Sequence, residues 1–118
     1  MKLNFITFMV RDINKSVVFY QELAGLQIMN RMNPGAGEIV FMANAQGETM
    51  LELIEFEGVE KVVTRGMVMS FSSSCELEEL RKKAVTLGYA PSEVVEIGPK
   101  PKHFTVTDPD GIVVEFSV

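Results

Sequence analysis

The sequence repeats its own pattern at a separation of 63 residues. Gly25 recurs as Gly88, and Glu52 recurs as Glu115 within a similar apolar surrounding. The turn sequences NAQG and DPDG align with a separation only one residue longer. Several landmarks at one period predict a fold that is built from two copies of the same structural unit.

The first copy has the pattern of one strand, one helix and three further strands. Asp12 suits the N-cap of the helix, and Gly25 suits its end, because glycine adopts the left-handed conformation at low cost. Between these two residues the apolar side chains fall at helical spacing. The predicted strands cover residues 3–10, 26–32, 38–43 and 49–56.

The second copy repeats this order, with a capping box of Ser73 and Glu76 expected at the start of its helix. With 118 residues, we expect a single α+β domain of two β-α-β-β-β modules. The first module covers about residues 1–57, a linker covers 58–65, and the second module covers 66–118. The predicted strands of the second copy are residues 67–71, 92–97, 102–107 and 112–118.

The loop DPDG predicts a hairpin, and Gly111 in its last place favours a type I turn closed by a left-handed residue and a bulge. In that register Thr105 lies opposite Glu115. His103, Thr105 and Glu115 then share one face of the sheet, because alternate residues of a strand point the same way. A simple four-residue loop would instead put His103 on the opposite face.

The face that carries Glu115 is predicted to be the one that the helices leave open. The other face of the same strands is strongly apolar and is the better partner for a helix. By the repeat, Glu52 lies on the matching face of the first sheet, beside Met50 and Ile54. If the two sheets curl toward each other, both carboxylates face one cavity. Their repulsion and desolvation would then raise the apparent pKa of the pair and favour cationic or proton-donating ligands.

Composition excludes several classes of partner and site. A net charge of -5 and an isoelectric point near 4.9 argue against nucleic-acid binding, which needs clustered basic residues. The single cysteine, Cys75, excludes an intrachain disulfide framework and a multi-cysteine metal site. The sequence has no apolar run of the roughly 20 residues that a membrane span needs. We therefore expect a cytoplasmic protein.

Two segments resemble the vicinal oxygen chelate superfamily, which includes glyoxalases, bleomycin resistance proteins and extradiol dioxygenases. VRDINKSVVFYQELAGL is similar to its first strand-to-helix segment, and DPDGIVVEF is similar to its terminal hairpin. The resemblance implies a cupped, mixed-sheet half-barrel with its helices outside and a ligand inside. It also implies a homodimer, and in many members a divalent ion held by His from each first strand and Glu from each last strand.

Glu52 and Glu115 match the two carboxylate positions of that implied metal site. The histidine positions correspond to Phe5 and Val68, neither of which binds a divalent ion. We therefore expect no cofactor. If a metal is present, Glu52 and Glu115 would be its ligands, and His103 or water would supply the missing donors.

The leading hypothesis is a small-molecule-binding protein without the usual metal site. The alternative is a glyoxalase-like lyase, isomerase or epimerase that acts on an α-carbonyl substrate, with or without a divalent metal. Its catalytic candidates are Glu52 or Glu115 as base and His103 as proton shuttle. A third hypothesis is a collapsed pocket in a protein that serves as an interaction partner. The residues expected to line the ligand are Phe5, Thr7, Met9, Phe41, Met50, Val68 and Thr105.

Overall fold

The computed structural model describes all residues from 1 to 118 and has an α+β architecture. The chain divides into two compact units, Met1–Val62 and Val63–Val118. Each unit contains one sheet and one helix. Neither helix has the length and apolar character that would let it cross a membrane.

The first unit follows the predicted order of elements. These are β1 (Phe5–Met9), α1 (Ile13–Glu22), β2 (Gln27–Met32), β3 (Gly37–Ala43) and β4 (Met50–Phe56). The strand order in the sheet is β1-β4-β3-β2, with β1 parallel to β4 and the other pairs antiparallel. All five predicted elements of this half are confirmed.

Local signals at both ends of α1 act as predicted. Asp12 has an extended backbone, and its side chain accepts hydrogen bonds from the backbone N–H groups of Asn14 and Lys15. Glu55 of β4 accepts a third bond, 2.7 Å long, from the N–H of Ile13. These acceptors satisfy N–H groups that have no partner inside the helix. Gly25 follows the helix with a φ of 66°.

The second unit contains β5 (Val68–Ser72), α2 (Leu77–Thr86), β6 (His103–Thr107) and β7 (Val113–Ser117). The strand order is β5-β7-β6, with β5 parallel to β7 and β6 antiparallel to it. The pairing of the first strand with the last is therefore the same in both units. The second sheet has three strands where the first has four.

The strand predicted over residues 92–97 was wrong and is reduced to one bridge, Val95 with His103. Ser92 explains the interruption. Its hydroxyl, rather than a backbone carbonyl, accepts the N–H of Thr105 at 2.9 Å. Its own carbonyl accepts a hydrogen bond from Arg81 at 2.7 Å. The N–H of Ser92 still donates to the carbonyl of Thr105 at 2.8 Å, but the return bond of a regular ladder is replaced by the one to the hydroxyl.

The capping box predicted for α2 was also wrong. Glu76 is the N-cap residue, and it makes no side-chain capping bond. The hydroxyl of Ser73 instead bonds locally to the backbone N–H and C=O of Cys75, at 3.2 and 2.8 Å. Short polar side chains often compete in this way with helix formation, so α2 begins four residues after Ser73.

The bulged hairpin is confirmed. The N–H of Asp108 donates to the carbonyl of Ile112 at 2.9 Å, and Gly111 has a φ of 90°. The side chain of Asp108 accepts from the N–H groups of Asp110 and Ile112, at 2.8 and 3.0 Å. Thr105 pairs with Glu115 as predicted. The turn therefore fixes which face of β7 carries Glu115.

Replacing Asp108 with Ala should destabilise the protein by about 2 kcal/mol, because two N–H groups of the turn lose a charged acceptor. Urea denaturation at neutral pH measures the loss. The Asp108→Asn variant is the matched control, since its amide oxygen can accept both bonds and should retain most of the stability. An Ala variant as stable as the parent would contradict this account of the hairpin.

Candidate functional site

The first sheet has one face against α1 and one open face. Phe8, Val10, Leu51 and Leu53 are buried on the helix side, where the ring of Phe8 lies 6.3 Å from that of Tyr20. Alternate residues point the other way and are half-buried or exposed. We call this set the open face of the first sheet: Phe5, Thr7, Met9, Ile39, Phe41, Met50, Glu52 and Ile54.

A hydroxyl–carboxylate pair lies in the middle of this open face. Thr7 is opposite Glu52 across the parallel strands, and its Oγ1 donates a 2.5 Å hydrogen bond to Oε1 of Glu52. Phe41 is opposite Glu52 on the other side. The rings of Phe5 and Phe41 meet edge to face, with centroids 5.4 Å apart. The polar pair is thus bordered by aromatic and methionine side chains.

The second unit contains the same pair at the repeat-related positions. Ser70 is opposite Glu115 across β5 and β7, and its Oγ donates a 2.6 Å hydrogen bond to Oε2 of Glu115. Glu115 is only 6% exposed. The ammonium of Lys100 lies 2.5 Å from its other oxygen, Oε1. One oxygen of this carboxylate therefore accepts from a hydroxyl and the other from a cation.

His103 lies beside this pair, as the bulged register predicts. Its Nδ1 is 2.8 Å from the carbonyl oxygen of Pro101, which can only accept, so Nδ1 carries a proton. Its Nε2 is 3.9 Å from Oε1 of Glu115. Both side chains are buried. His103 thus directs its second nitrogen toward the carboxylate that Lys100 already contacts.

Lys100 controls the ionisation of Glu115. The hydrogen bond from its ammonium, followed by the one from Ser70, lowers the pKa of Glu115 below its usual value. Burial acts in the opposite direction but is outweighed. The upward shift predicted from sequence is therefore wrong for Glu115, because its nearest charged neighbour is a cation. At neutral pH this carboxylate is ionised and a weak base.

The predicted residues fall into two groups, one in each unit. Phe5, Thr7, Met9, Phe41, Met50 and Glu52 share the open face of the first sheet. Val68, His103, Thr105 and Glu115 share one face of the second sheet. Their roles in binding or catalysis stay predictions.

Sequence reasoning missed Ser70 and Lys100. Ser70 could have been found, because the separation that relates Glu52 to Glu115 also relates Thr7 to Ser70. Lys100 lies in a loop between Pro99 and Pro101, outside any periodic pattern. Nothing in the order of residues connects it to Glu115.

The side chains present do not fit a divalent metal ion. The structure contains no group of three or more His, Cys, Asp or Glu side chains placed to hold one. An ion at Glu115 would have to displace the ammonium of Lys100. An ion at Glu52 would find only the hydroxyl of Thr7 beside it. Divalent ions usually need more oxygen or nitrogen donors than either position offers.

The sequence model of the glyoxalase/bleomycin resistance protein/dioxygenase superfamily matches residues 2–116. The chain belongs to this superfamily. The resemblance stated from the first strand-to-helix segment and the terminal hairpin is therefore confirmed.

Three similar proteins illustrate how this superfamily member relates to others. Protein YwbC of Bacillus subtilis (strain 168), described as uncharacterized, is 28% identical over 114 residues, covering 92% of this chain and 90% of YwbC. TnmS3, an antibiotic binding protein from a Streptomyces species, has a TM-score of 0.74 and 19% identity, covering 99% of this chain and 94% of TnmS3.

A glyoxalase I mutant from Zea mays has a TM-score of 0.84 and 16% identity, covering 98% of this chain. This chain spans 44% of the maize protein. At these identities the two structural likenesses establish the fold alone.

Replacing Lys100 with Met should destabilise the protein by about 1 kcal/mol at pH 7, a modest value because the Lys100 side chain is 52% exposed. The pKa of Glu115 is lowered in the folded protein, so this stabilisation is present above the ordinary glutamate pKa. It is lost as the pH falls through the lowered value. Urea denaturation at pH 7 and at acidic pH should therefore show a difference between parent and variant that shrinks with acid.

Lys102→Met is the charge-matched control, since Lys102 is exposed and two residues away. It should leave stability unchanged at both pH values. A Lys100→Met variant whose deficit is the same at both pH values would contradict the assigned pairing.

Proposed function

We propose that this superfamily member binds a small organic molecule on the open face of the first sheet. The observation that carries the proposal is the half-exposed set of aromatic and methionine side chains around the Thr7–Glu52 pair. Binding sites for small molecules are typically apolar, with a few placed polar groups that orient the ligand. The small molecules that this face binds include organic cations.

The chemistry of the open face supports reversible binding. Phe5 is 42% exposed and contacts Phe41, so two rings present apolar surface to a ligand. Met9 and Met50 are flexible and polarizable, which lets such a surface adapt to different shapes. TnmS3, which shares the fold, is described as an antibiotic binding protein. That likeness is consistent with a binding function for this chain.

Proton abstraction by Glu115 is less well supported. A general base works best when its pKa is near the working pH, and the ammonium of Lys100 lowers the pKa of Glu115 away from that range. A lyase, isomerase or epimerase that used Glu115 as base would first have to move Lys100. The homodimer and the cytoplasmic location stay predictions.

Phenethyl alcohol is a suitable first probe, because it combines one aromatic ring with one hydroxyl. We expect a Kd of about 1 mM or lower. In a two-dimensional amide NMR titration, the largest shifts should fall on β1, β3 and β4. Replacing Phe5 with Ala should weaken binding roughly fivefold, because an exposed ring of the binding surface is removed.

The Val85→Ala variant is the control, since Val85 is an exposed apolar residue on α2. It should bind the probe as the parent does. Shifts that lie outside the first sheet, or a Phe5→Ala variant with unchanged affinity, would contradict the proposed location. The absence of any binding at millimolar probe would contradict the proposed function itself.

A further inference from the structure

We propose that Glu52 anchors the positively charged nitrogen of the ligand, so that the preferred ligands are organic ammonium compounds with an apolar or aromatic body. The inference rests on the proposed binding function and names its ligand class and anchor. It also assigns different roles to the two repeat-related glutamates. Glu115 has its own cation, and Glu52 takes one from the ligand.

In the second unit, the equivalent hydroxyl–carboxylate pair already binds an ammonium group. Ser70 donates to one oxygen of Glu115, and the primary ammonium of Lys100 lies 2.5 Å from the other. A carboxylate held by a hydroxyl on one side is thus a suitable partner for an alkylammonium group. Charge-assisted hydrogen bonds of this kind are stronger than neutral ones.

The first unit has the same hydroxyl and the same carboxylate but lacks the cation. Thr7 donates to Oε1 of Glu52, and no Lys or Arg lies within ion-pair distance of this carboxylate. The loop before β3 reads Asn-Pro-Gly-Ala at 33–36 and contains no basic residue. The strand position that His103 occupies in the second unit is held by Ile39. Oε2 of Glu52 is therefore available to a cation from outside.

The surroundings of Glu52 favour an organic cation over a metal ion. Phe41 lies directly opposite Glu52 and touches Phe5, and aromatic ring faces attract ammonium groups. A metal ion would find one carboxylate and one hydroxyl, which is too few donors. An ammonium group needs only one or two acceptors, and its apolar body can cover the neighbouring rings. The net charge of -5 attracts cations further.

A pair of probes that differ only in charge tests the inference. Phenethylammonium and phenethyl alcohol have the same aromatic body, and both are titrated by amide NMR into the intact chain. We expect the parent protein to bind the ammonium roughly tenfold more tightly than the alcohol. The Glu52→Gln variant should bind the two probes with about equal affinity. Its affinity for the alcohol should stay within about twofold of the parent.

Glu57→Gln is the matched control, because it removes the same charge from an exposed residue that lies just beyond β4. It should keep the full preference for the ammonium. A preference lost equally in both variants would indicate a general charge effect and overturn the role of Glu52 as anchor. A preference that persists in Glu52→Gln, or that is absent from the parent, would overturn it as well.

The alcohol separates failure of the inference from failure of the proposed function. If the parent binds both probes equally, the binding function stands and the ammonium preference is wrong. If neither probe binds, the proposed function fails and the inference fails with it. Glu52 is half-buried at the open face, and glutamine preserves its shape and its bond from Thr7, so the variant should fold.

Discussion

The parallel pairing of the first and last strands of each unit is the constraint on which the candidate site depends. It sets Thr7 opposite Glu52 and Ser70 opposite Glu115, so each carboxylate meets a hydroxyl across the strand pair. A shift of one residue in either pairing would put the carboxylate and the hydroxyl on opposite faces of the sheet. The buried residues on the helix side oppose such a shift, because they would become exposed. Packing of the apolar face thereby holds the polar face in register.

Much of this architecture could be predicted because its signals are local. Asp12 caps a helix, and Asp108 with Gly111 sets a hairpin register, through bonds to residues only two to four positions away. The failures also have local causes. The hydroxyl of Ser73 bonds to the backbone of Cys75 where a capping box was predicted, and the hydroxyl of Ser92 donates to the carbonyl of Glu93 where a strand was predicted. Apolar pattern alone does not reveal how such short polar side chains will bond.

The electrostatics of the site were harder to predict than its fold. The predicted rise in pKa assumed that the two carboxylates would be each other's main neighbours. In the structure the strongest influence on Glu115 is Lys100, a loop residue. Charge counts and strand alternation say which residues share a face, but they do not say where a long, flexible side chain from a loop will end. Two carboxylates at repeat-related positions can therefore differ in chemistry, because a loop lysine neutralises only Glu115.

The loop that carries Lys100 has a further consequence. Pro99 and Pro101 restrict the backbone on both sides of the lysine, and the N–H of Lys100 donates to the carbonyl of Ile97 at 3.2 Å. Less backbone entropy is therefore lost when the loop holds the ammonium beside Glu115. An attached partner acts at an effective concentration that is typically millimolar or higher. A dissolved amine would have to exceed that concentration to displace Lys100. Glu115 therefore does not compete with Glu52 for amine ligands at lower concentrations.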